Sequence, residues 1–269
     1  MPPKQKFGEL LLLRHGQSHW NKSGRFTGWV DIALSEQGVQ EALAAGKRFA
    51  SEAVLETADS EILTQSESSL SKVPVPGIDI CYVSTLSRSL VTAQVFLAAA
   101  LRDREAILVD ESLDAKTLSS YLGDDSITMY ADHRLNERCY GNLQGQSKEL
   151  AKKHYGQKQV QLWRRSYEGQ PPGGESLKQT AQRVLLCFKE RILPRLAAGQ
   201  RVLVCAHGNS LRALVMEIEH LSAQAVVDVE IPTGEVIRYL YHPRNQEGGQ
   251  TIAKAAAQPE YRSGFSRVK

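Results

Sequence analysis

The sequence predicts an α/β fold: a single doubly wound, mostly parallel sheet flanked by helices. Three observations predict it. Short aliphatic runs stopped by turn residues alternate with longer amphipathic segments, the pattern of strands joined by crossover helices. Two of the runs, residues 10–13 and 202–206, are apolar at nearly every position, as strands covered on both faces must be. Each is followed closely by His-Gly, His15-Gly16 and His207-Gly208. In parallel α/β sheets, ligands gather just past the carboxyl ends of the strands. Two histidines are therefore expected side by side above one sheet edge, each next to a glycine that lets a ligand approach the backbone.

The elements follow in order. The strand at 10–13 leads into a loop rich in Gly, Ser, Asn and Trp that ends near Asp31. Ser35 then reads as the N-cap of a helix running through Glu41, Leu43 and Phe49. From about 55 to 76, serines, acids and Pro74-Val75-Pro76-Gly77 read as an exposed insertion. Residues 78–83 are a second strand, followed by a helix with Leu86, Leu90, Ala93 and Leu97 on one face. A short strand is expected at 107–109 and a second, irregular insertion at 114–132. A Gly-containing loop at 140–145 precedes helical material through Trp163 and Tyr167, and Pro171-Pro172-Gly173-Gly174 breaks it. Ser176 with Gln179 forms a capping box for a long helix that must absorb or end near Pro194. A strand at 202–206, a helix at about 210–221, an edge-like strand at 235–241 and a polar tail from about 242 complete the chain. All 269 residues are read as one domain with no internal repeat.

Composition narrows the function classes. An apolar fraction of 42% with 23% charged residues is that of an ordinary soluble globular chain. A net charge of +3 with no basic block implies neither nucleic acid nor an acidic membrane surface as partner. No apolar run is long enough to span a bilayer, and residues 1–6 read as neither signal nor transit peptide. The four cysteines, Cys81, Cys139, Cys187 and Cys205, have no CxxC spacing, and three lie in apolar stretches as buried free thiols. A reducing cytoplasm is the expected compartment.

Chemistry is expected first at His15. An imidazole with one nitrogen hydrogen-bonded and the other free is a good nucleophile toward phosphorus, and Arg14 beside it can fork onto phosphate oxygens. A strand-Arg-His by itself reads as a surface histidine in a turn. A metal site on His15 and His19 would need a helix there, which Gly16, Asn21 and Gly24 disfavour. Arg88 falls near the end of the second strand, on the same sheet edge. Glu137 can move a proton, although a solvated loop glutamate is the plainer reading. Arg164, Arg165 and Lys148 add positive charge suited to a carboxylated or doubly phosphorylated small molecule, though adjacent helix arginines more often face solvent.

Five collinear blocks sharpen these readings. The run Leu12-Leu13-Arg14-His15-Gly16-Gln17-Ser18-His19-Trp20-Asn21 resembles the RHG signature of the histidine phosphatase superfamily. The stretches Arg25 to Asp31 with Leu34 to Gly38, Leu135 to Gly145, Gln161 to Arg165 and Ala206 to Leu214 resemble the cofactor-dependent phosphoglycerate mutases within it. The resemblance implies a doubly wound fold and interconversion of 3-phosphoglycerate and 2-phosphoglycerate through a phosphohistidine. The bound intermediate and primer would be 2,3-bisphosphoglycerate, with no metal. It implies that His15 is phosphorylated, that Arg14, Arg88 and His207 hold the transferring group, and that Glu137 is the acid and base. Ser18, Asn21, Thr27 and Gly28 would form the loop around phosphate and substrate. Arg138, Tyr140, Lys148, Arg164 and Arg165 would close over the substrate's far end, with Gly208 and Asn209 as the backbone edge beside the second histidine. Residues 251–257 resemble a small-residue tail that caps such sites, and a terminus that is not ordered over the site is the alternative. Gln17 and Cys139 depart from the family pattern, and the short 171–176 stretch leaves the oligomeric state open. Two other readings remain: a phosphatase of the same superfamily, and a scaffold without catalysis.

Overall fold

The computed structural model describes residues 7–61, 77–101, 104–109, 123, 126–242 and 264–268, with the backbone alone described for 53–61. Residues 62–76 of the expected 55–76 insertion, most of 114–125 in the expected 114–132 insertion and the 251–257 tail lie outside the described residues.

A seven-stranded sheet organises the chain. The strands are β1 (Gly8–Arg14), β2 (Ile80–Val83), β3 (Glu105–Val109), β4 (Ser126–Ala131), β5 (Arg201–Ala206), β6 (Val236–Tyr241) and β7 (Phe265–Arg267). Their order across the sheet is β3-β4-β2-β5-β1-β6-β7. The first five are mutually parallel, while β6 runs antiparallel to β1 and β7 antiparallel to β6. The parallel, doubly wound reading holds for the central strands, and an antiparallel pair forms one margin.

The aliphatic runs are explained by burial on both faces. In β1, Leu10 and Leu12 join one cluster with Tyr82, Val202, Val204, Val184 and Leu214, while Leu11 and Leu13 join another with Phe49, Phe96, Leu97 and Leu203. All four leucines are fully buried, and each contributes roughly 1.5–3 kcal/mol of transfer free energy.

Helices cover the two faces. The second cluster is covered by α2 (Glu36–Glu61) and α3 (Ser87–Ala100). The first is covered by α6 (Leu177–Cys187), α7 (Leu193–Ala197) and α8 (Gly208–Ile218). The remaining helices, α1 (His19–Lys22), α4 (Lys148–Tyr155) and α5 (Gln157–Arg165), belong to the loops at the sheet's carboxyl edge.

Several local signals act as read. Ser35 accepts a hydrogen bond from Gly38 N at 3.2 Å at the start of α2, and Ser176 with Gln179 forms the capping box of α6. Pro194 is absorbed: Phe188–Ile192 is a π-helical stretch in which Leu193 N–H reaches back to Phe188 O. That wider turn carries the chain into α7 without requiring an N–H from proline.

The structure corrects four expectations. Helix α2 continues to Glu61, past the expected start of an insertion at 55. The end of the supposed irregular stretch 114–132 is the interior strand β4, with Ile127 and Met129 fully buried between Ser126, Thr128 and Tyr130. The 235–241 strand is not the sheet's edge, because β7 pairs with it from within the polar tail. Finally, α1 is a helical turn where none was expected, capped by Ser18, whose hydroxyl accepts from Asn21 N at 3.1 Å.

Cys81, Cys187 and Cys205 are buried free thiols, as read, and Cys139 is half-buried. Burial pushes the Cys205 thiol up to about 12. Among the described residues no helix is long and apolar enough to cross a membrane.

Candidate active site

Register places the site. Arg14 pairs with Ala206, and Val83 pairs with both Cys205 and Ala131. The residues that follow β1, β2, β4 and β5, namely His15, Ser84, Asp132 and His207, therefore emerge on one edge of the sheet. The His15 and His207 rings meet edge to face with centroids 4.9 Å apart.

Gly16 is required by close approach. A Cβ there would fall 2.1 Å from the carbonyl oxygen of Gly38, so the loop after β1 sits directly on the start of α2. Gly16 N donates to Thr92 Oγ1 at 3.1 Å, tying the same turn to α3.

His15 is 3% exposed, and its Nδ1 lies 2.7 Å from the carbonyl oxygen of Gly16. A carbonyl only accepts, so Nδ1 carries the proton and Nε2 keeps the lone pair. Burial first, then the charges of Arg88 and Arg14, hold the His15 pKa well below the ordinary imidazole value, with the Gly16 bond opposing in part. His207 is lowered too, by burial and then by Arg88, His15 and Arg14. Its Nε2 lies 2.7 Å from Ser84 Oγ, while its buried Nδ1 has no partner among the described residues. Ser84 Oγ accepts from Leu86 N at 3.2 Å and keeps a proton that it can give to His207 Nε2. That arrangement leaves an N–H at Nδ1.

Two neutral buried histidines make stability depend on pH. Unfolded, each protonates near 6.5; folded, each resists until a lower pH. Stability is full above about 6.5 and falls as pH drops from there toward the folded values, by about 1.4 kcal/mol per pH unit for each histidine. Urea denaturation at pH 7.0 and 5.5 is expected to show this loss in the wild type and about half of it in His207→Asn. An equal loss in both would remove His207 as a source of it.

A cavity of about 140 Å³ opens in front of His15. Its walls carry Arg14, Arg25, Arg88, Lys148, Arg164, Arg165 and Arg212, with Glu137 and Glu230 as the carboxylates among the described residues. Arg88 is 1% exposed and is held by the carbonyls of Val30 at 2.9 Å and Gly28 at 2.8 Å. Burial lowers its pKa, while Glu137 and Asp31 act to raise it. Neither Lys148 nor Arg164 donates a side-chain hydrogen bond among the described residues, and burial, then Arg164, lowers the Lys148 pKa. Arg14 Nε and Thr27 Oγ1 are buried without partners among the described residues, as is His207 Nδ1. Buried polar groups left unpaired are costly, and three of them around a cationic cavity fit an anion that accepts from each.

Glu137 faces the same cavity. Its Oε1 accepts from Arg138 N at 2.8 Å, Asn209 Nδ2 at 2.9 Å and Asn209 N at 3.2 Å. Oε2 has no hydrogen-bond partner among the described residues. The backbone of this loop is clamped by Arg183 on α6, which donates to the carbonyls of Arg134, Asn136 and Glu137 and pairs with Glu175 at 2.8 Å. Trp29 Nε1 donates to the Glu137 carbonyl at 2.6 Å.

Not every residue proposed from sequence reaches the cavity wall. Ser18 is fully buried and engaged in capping α1, with its hydroxyl also donating to Asn21 Oδ1 at 2.9 Å. Arg138 is fully buried behind the wall, donating to Tyr140 Oη at 2.9 Å and to the Arg164 carbonyl at 3.0 Å. Burial drives the Tyr140 hydroxyl pKa up, but the charge and hydrogen bond of Arg138, helped by Asn209, outweigh it and bring the pKa below the usual phenol value. His207 lies beside His15 rather than on the wall. Asn21, Thr27, Gly28, Tyr140, Lys148, Arg164, Arg165, Gly208 and Asn209 line the cavity. The two departures are packed in: Gln17 Oε1 accepts from Ser35 Oγ at 3.0 Å, and Cys139 Sγ lies 3.6 Å from Gln144 Oε1.

Sequence reading missed Ser84, Arg183, Arg212 and Glu230. Ser84 at the end of β2 was accessible to the same strand-end rule that found the histidines. Arg183 and Arg212 sit on helices where arginines usually face solvent; nothing local marks Arg183, whereas Arg212 lies within the Ala206 to Leu214 block.

Such a site defines a phosphoryl-handling α/β protein with a histidine as its candidate carrier. The family model for the histidine phosphatase superfamily (branch 1) matches residues 10–63 and 114–250. The 2,3-bisphosphoglycerate-dependent phosphoglycerate mutase of Chlamydia trachomatis serovar D is 43% identical over 232 residues, covering 86% of this chain and 92% of that one. The Chlamydia pneumoniae enzyme of the same name is 41% identical over 234 residues, with the same coverage. The chain belongs to the histidine phosphatase superfamily and, within it, to the family of these mutases. Among solved structures, a mycobacterial hydrolase aligns over 97% of both chains with TM-score 0.66 at 19% identity. Bacillus stearothermophilus YhfR aligns over 86% of this chain and 90% of its own with TM-score 0.61 at 22% identity. At such identities these two share the fold.

Proposed function

We propose that this chain interconverts 3-phosphoglycerate and 2-phosphoglycerate, with His15 as the phosphoryl carrier. The observation that carries the reading is the His15 tautomer: Nδ1 is committed to Gly16 O, and Nε2 is the lone-pair nitrogen of a buried, neutral imidazole at a cationic cavity. A neutral imidazole attacks phosphorus, whereas a protonated one cannot. The kinship with enzymes named as mutases supports the substrate.

The residues present fit 2,3-bisphosphoglycerate, which has two phosphates and a carboxylate. Arg14, Arg88, Thr27 and His207 would hold the phosphoryl group nearest His15, and Lys148, Arg164 and Arg165 the far end. When bound, the cofactor supplies the phosphoryl group that primes His15. Phosphorylated His15 passes its group to the free hydroxyl of the monophosphoglycerate and takes back the group at the neighbouring position. Charge spread over the transferring oxygens is stabilised by the fixed arginines and the His207 Nδ1–H, which need no reorganisation during the reaction. Glu137 takes the proton from the attacking hydroxyl at Oε2 and returns it to the oxygen that loses its phosphoryl group. The amides on Oε1 hold the carboxylate in place for both steps. Because the arginines supply the charge stabilisation, this reading calls on no metal. Water exclusion decides between mutase and phosphatase outcomes.

One assay tests the reading. With 3-phosphoglycerate and catalytic 2,3-bisphosphoglycerate, 2-phosphoglycerate should form much faster than inorganic phosphate. Activity should depend on the bisphosphate primer. Stoichiometric phosphate release without 2-phosphoglycerate would overturn the mutase reading in favour of a phosphatase of the same superfamily.

A further inference from the structure

One wall of the cavity differs from the rest. The segment 227–231, running from the end of the 3-10 turn Ala225–Asp228 toward β6, is tied to three cavity arginines. Arg165 pairs with the Glu230 carboxylate at 2.6 Å and reaches the Val227 carbonyl at 3.5 Å. Arg212 Nε donates to the Val229 carbonyl at 2.9 Å, and Arg14 to that of Ile231 at 2.7 Å. The carbonyls fix the segment, and Glu230 places a carboxylate on the cavity wall. Unlike Glu137, it accepts from no backbone amide among the described residues.

The pair is open to water: the Glu230 side chain is 65% exposed and that of Arg165 is 32% exposed. Ion pairs this accessible are weak and screened, so an incoming anion can exchange with the carboxylate on Arg165. The carboxylate stays nearby after the exchange, and its charge is felt by whatever occupies that end of the cavity.

We propose that Glu230 is a specificity-determining residue that weakens the cavity's hold on a bisphosphorylated ligand relative to a monophosphorylated one. The proposal rests on the phosphoglycerate reading above. A phosphate monoester carries roughly −1.5 to −2 charges at neutral pH, so the bisphosphorylated ligand brings that much more charge into the same cavity. A wall of cations alone would favour it strongly. Only one phosphate can sit against His15 and Arg88, so the second adds its charge elsewhere in a cavity whose wall carries Glu230. There Glu230 offsets part of the attraction, and it does so most for the ligand charged at both ends. Monophosphorylated ligands can then compete for the cavity in the presence of the bisphosphorylated form.

The test uses the full chain with Glu230→Gln, which removes the charge and keeps the shape, and Glu230→Asp, which keeps the charge. Each is placed in a His15→Ala background, where no phosphoryl transfer occurs. Binding of 2,3-bisphosphoglycerate and 3-phosphoglycerate is measured by calorimetry, and pyrophosphate and inorganic phosphate serve as simple probes. E230Q should tighten 2,3-bisphosphoglycerate and pyrophosphate by about fivefold or more at low salt, and their monophosphate counterparts by about half that factor or less. The difference should shrink at high salt, and E230D should keep the original ratio. In the otherwise wild-type enzyme, E230Q should lower the activating concentration of 2,3-bisphosphoglycerate more than the KM for 3-phosphoglycerate. An equal change for both ligand classes, or weaker binding of both, would overturn the proposal and leave Glu230 as an anchor for Arg165. A wild-type enzyme without mutase turnover would refute the proposed function, while the phosphate and pyrophosphate pair would still decide the role of Glu230.

Discussion

Replacing His15 with alanine is expected to reduce interconversion of the phosphoglycerates by at least about ten-thousand-fold, since no other group at the cavity can carry the phosphoryl group. The covalent label separates this from a binding defect. Wild-type protein incubated with labelled 2,3-bisphosphoglycerate should retain acid-labile, base-stable label on a peptide containing His15, and His15→Ala should retain none. His207→Ala should still accept label, more slowly, because His207 is buried against Ser84 and supplies a hydrogen bond rather than the nucleophile. Label on His207, or a His15→Ala enzyme with substantial turnover, would reverse the assignment. The same geometry sets the acid limb of the rate profile. The His15 pKa lies well below the ordinary imidazole value, so kcat/KM should not fall through the usual imidazole range near 6.5 on account of His15; the loss belongs at lower pH.

Glu137→Gln is the second large effect, expected to lower kcat by about 10²–10⁴-fold with KM changed little. Glutamine is the informative substitution because the three bonds that position Oε1, from Arg138 N and from the backbone and side chain of Asn209, can all be made to an amide oxygen. What is lost is the proton exchange at the other oxygen, together with one negative charge. Losing that charge should leave binding of anionic substrate the same or tighter, so a rise in KM with unchanged kcat would identify Glu137 as a binding group. Label on His15 should still form from 2,3-bisphosphoglycerate, at a reduced rate.

These expectations draw on features of unequal legibility. The strands β1 and β5 could be read directly because strands buried on both faces leave an uninterrupted aliphatic record, and a histidine and glycine after each mark where the backbone turns into the site. The capping boxes at Ser18 and Ser176 and the cap at Ser35 are local, and two of the three were read as such. β4 was hidden because its alternation of Ser126, Thr128 and Tyr130 with Ile127 and Met129 lies beside a polar stretch, and its burial comes from neighbours distant in sequence. β7 was hidden for the same reason: three residues in a polar tail become a strand only because β6 offers an edge.

What the sequence determined by itself was the class of the protein: a parallel α/β sheet, two histidines at its carboxyl edge, and a set of arginines and lysines whose order along the chain resembles one family. Those follow from short-range rules of periodicity, capping and turn chemistry, and from motifs that are contiguous. The tertiary structure decided which cations face the cavity and which hold the frame. Arg164 and Arg165 line the cavity while Arg138, from the same set, is buried behind it; Arg183, unremarked in its helix, clamps the loop that carries Glu137. It also put Ser84 against His207 and Glu230 against Arg165. The physical reason is one of range. A charge or hydroxyl acquires its role from partners within a few ångströms, and here those partners lie tens to hundreds of residues away along the chain.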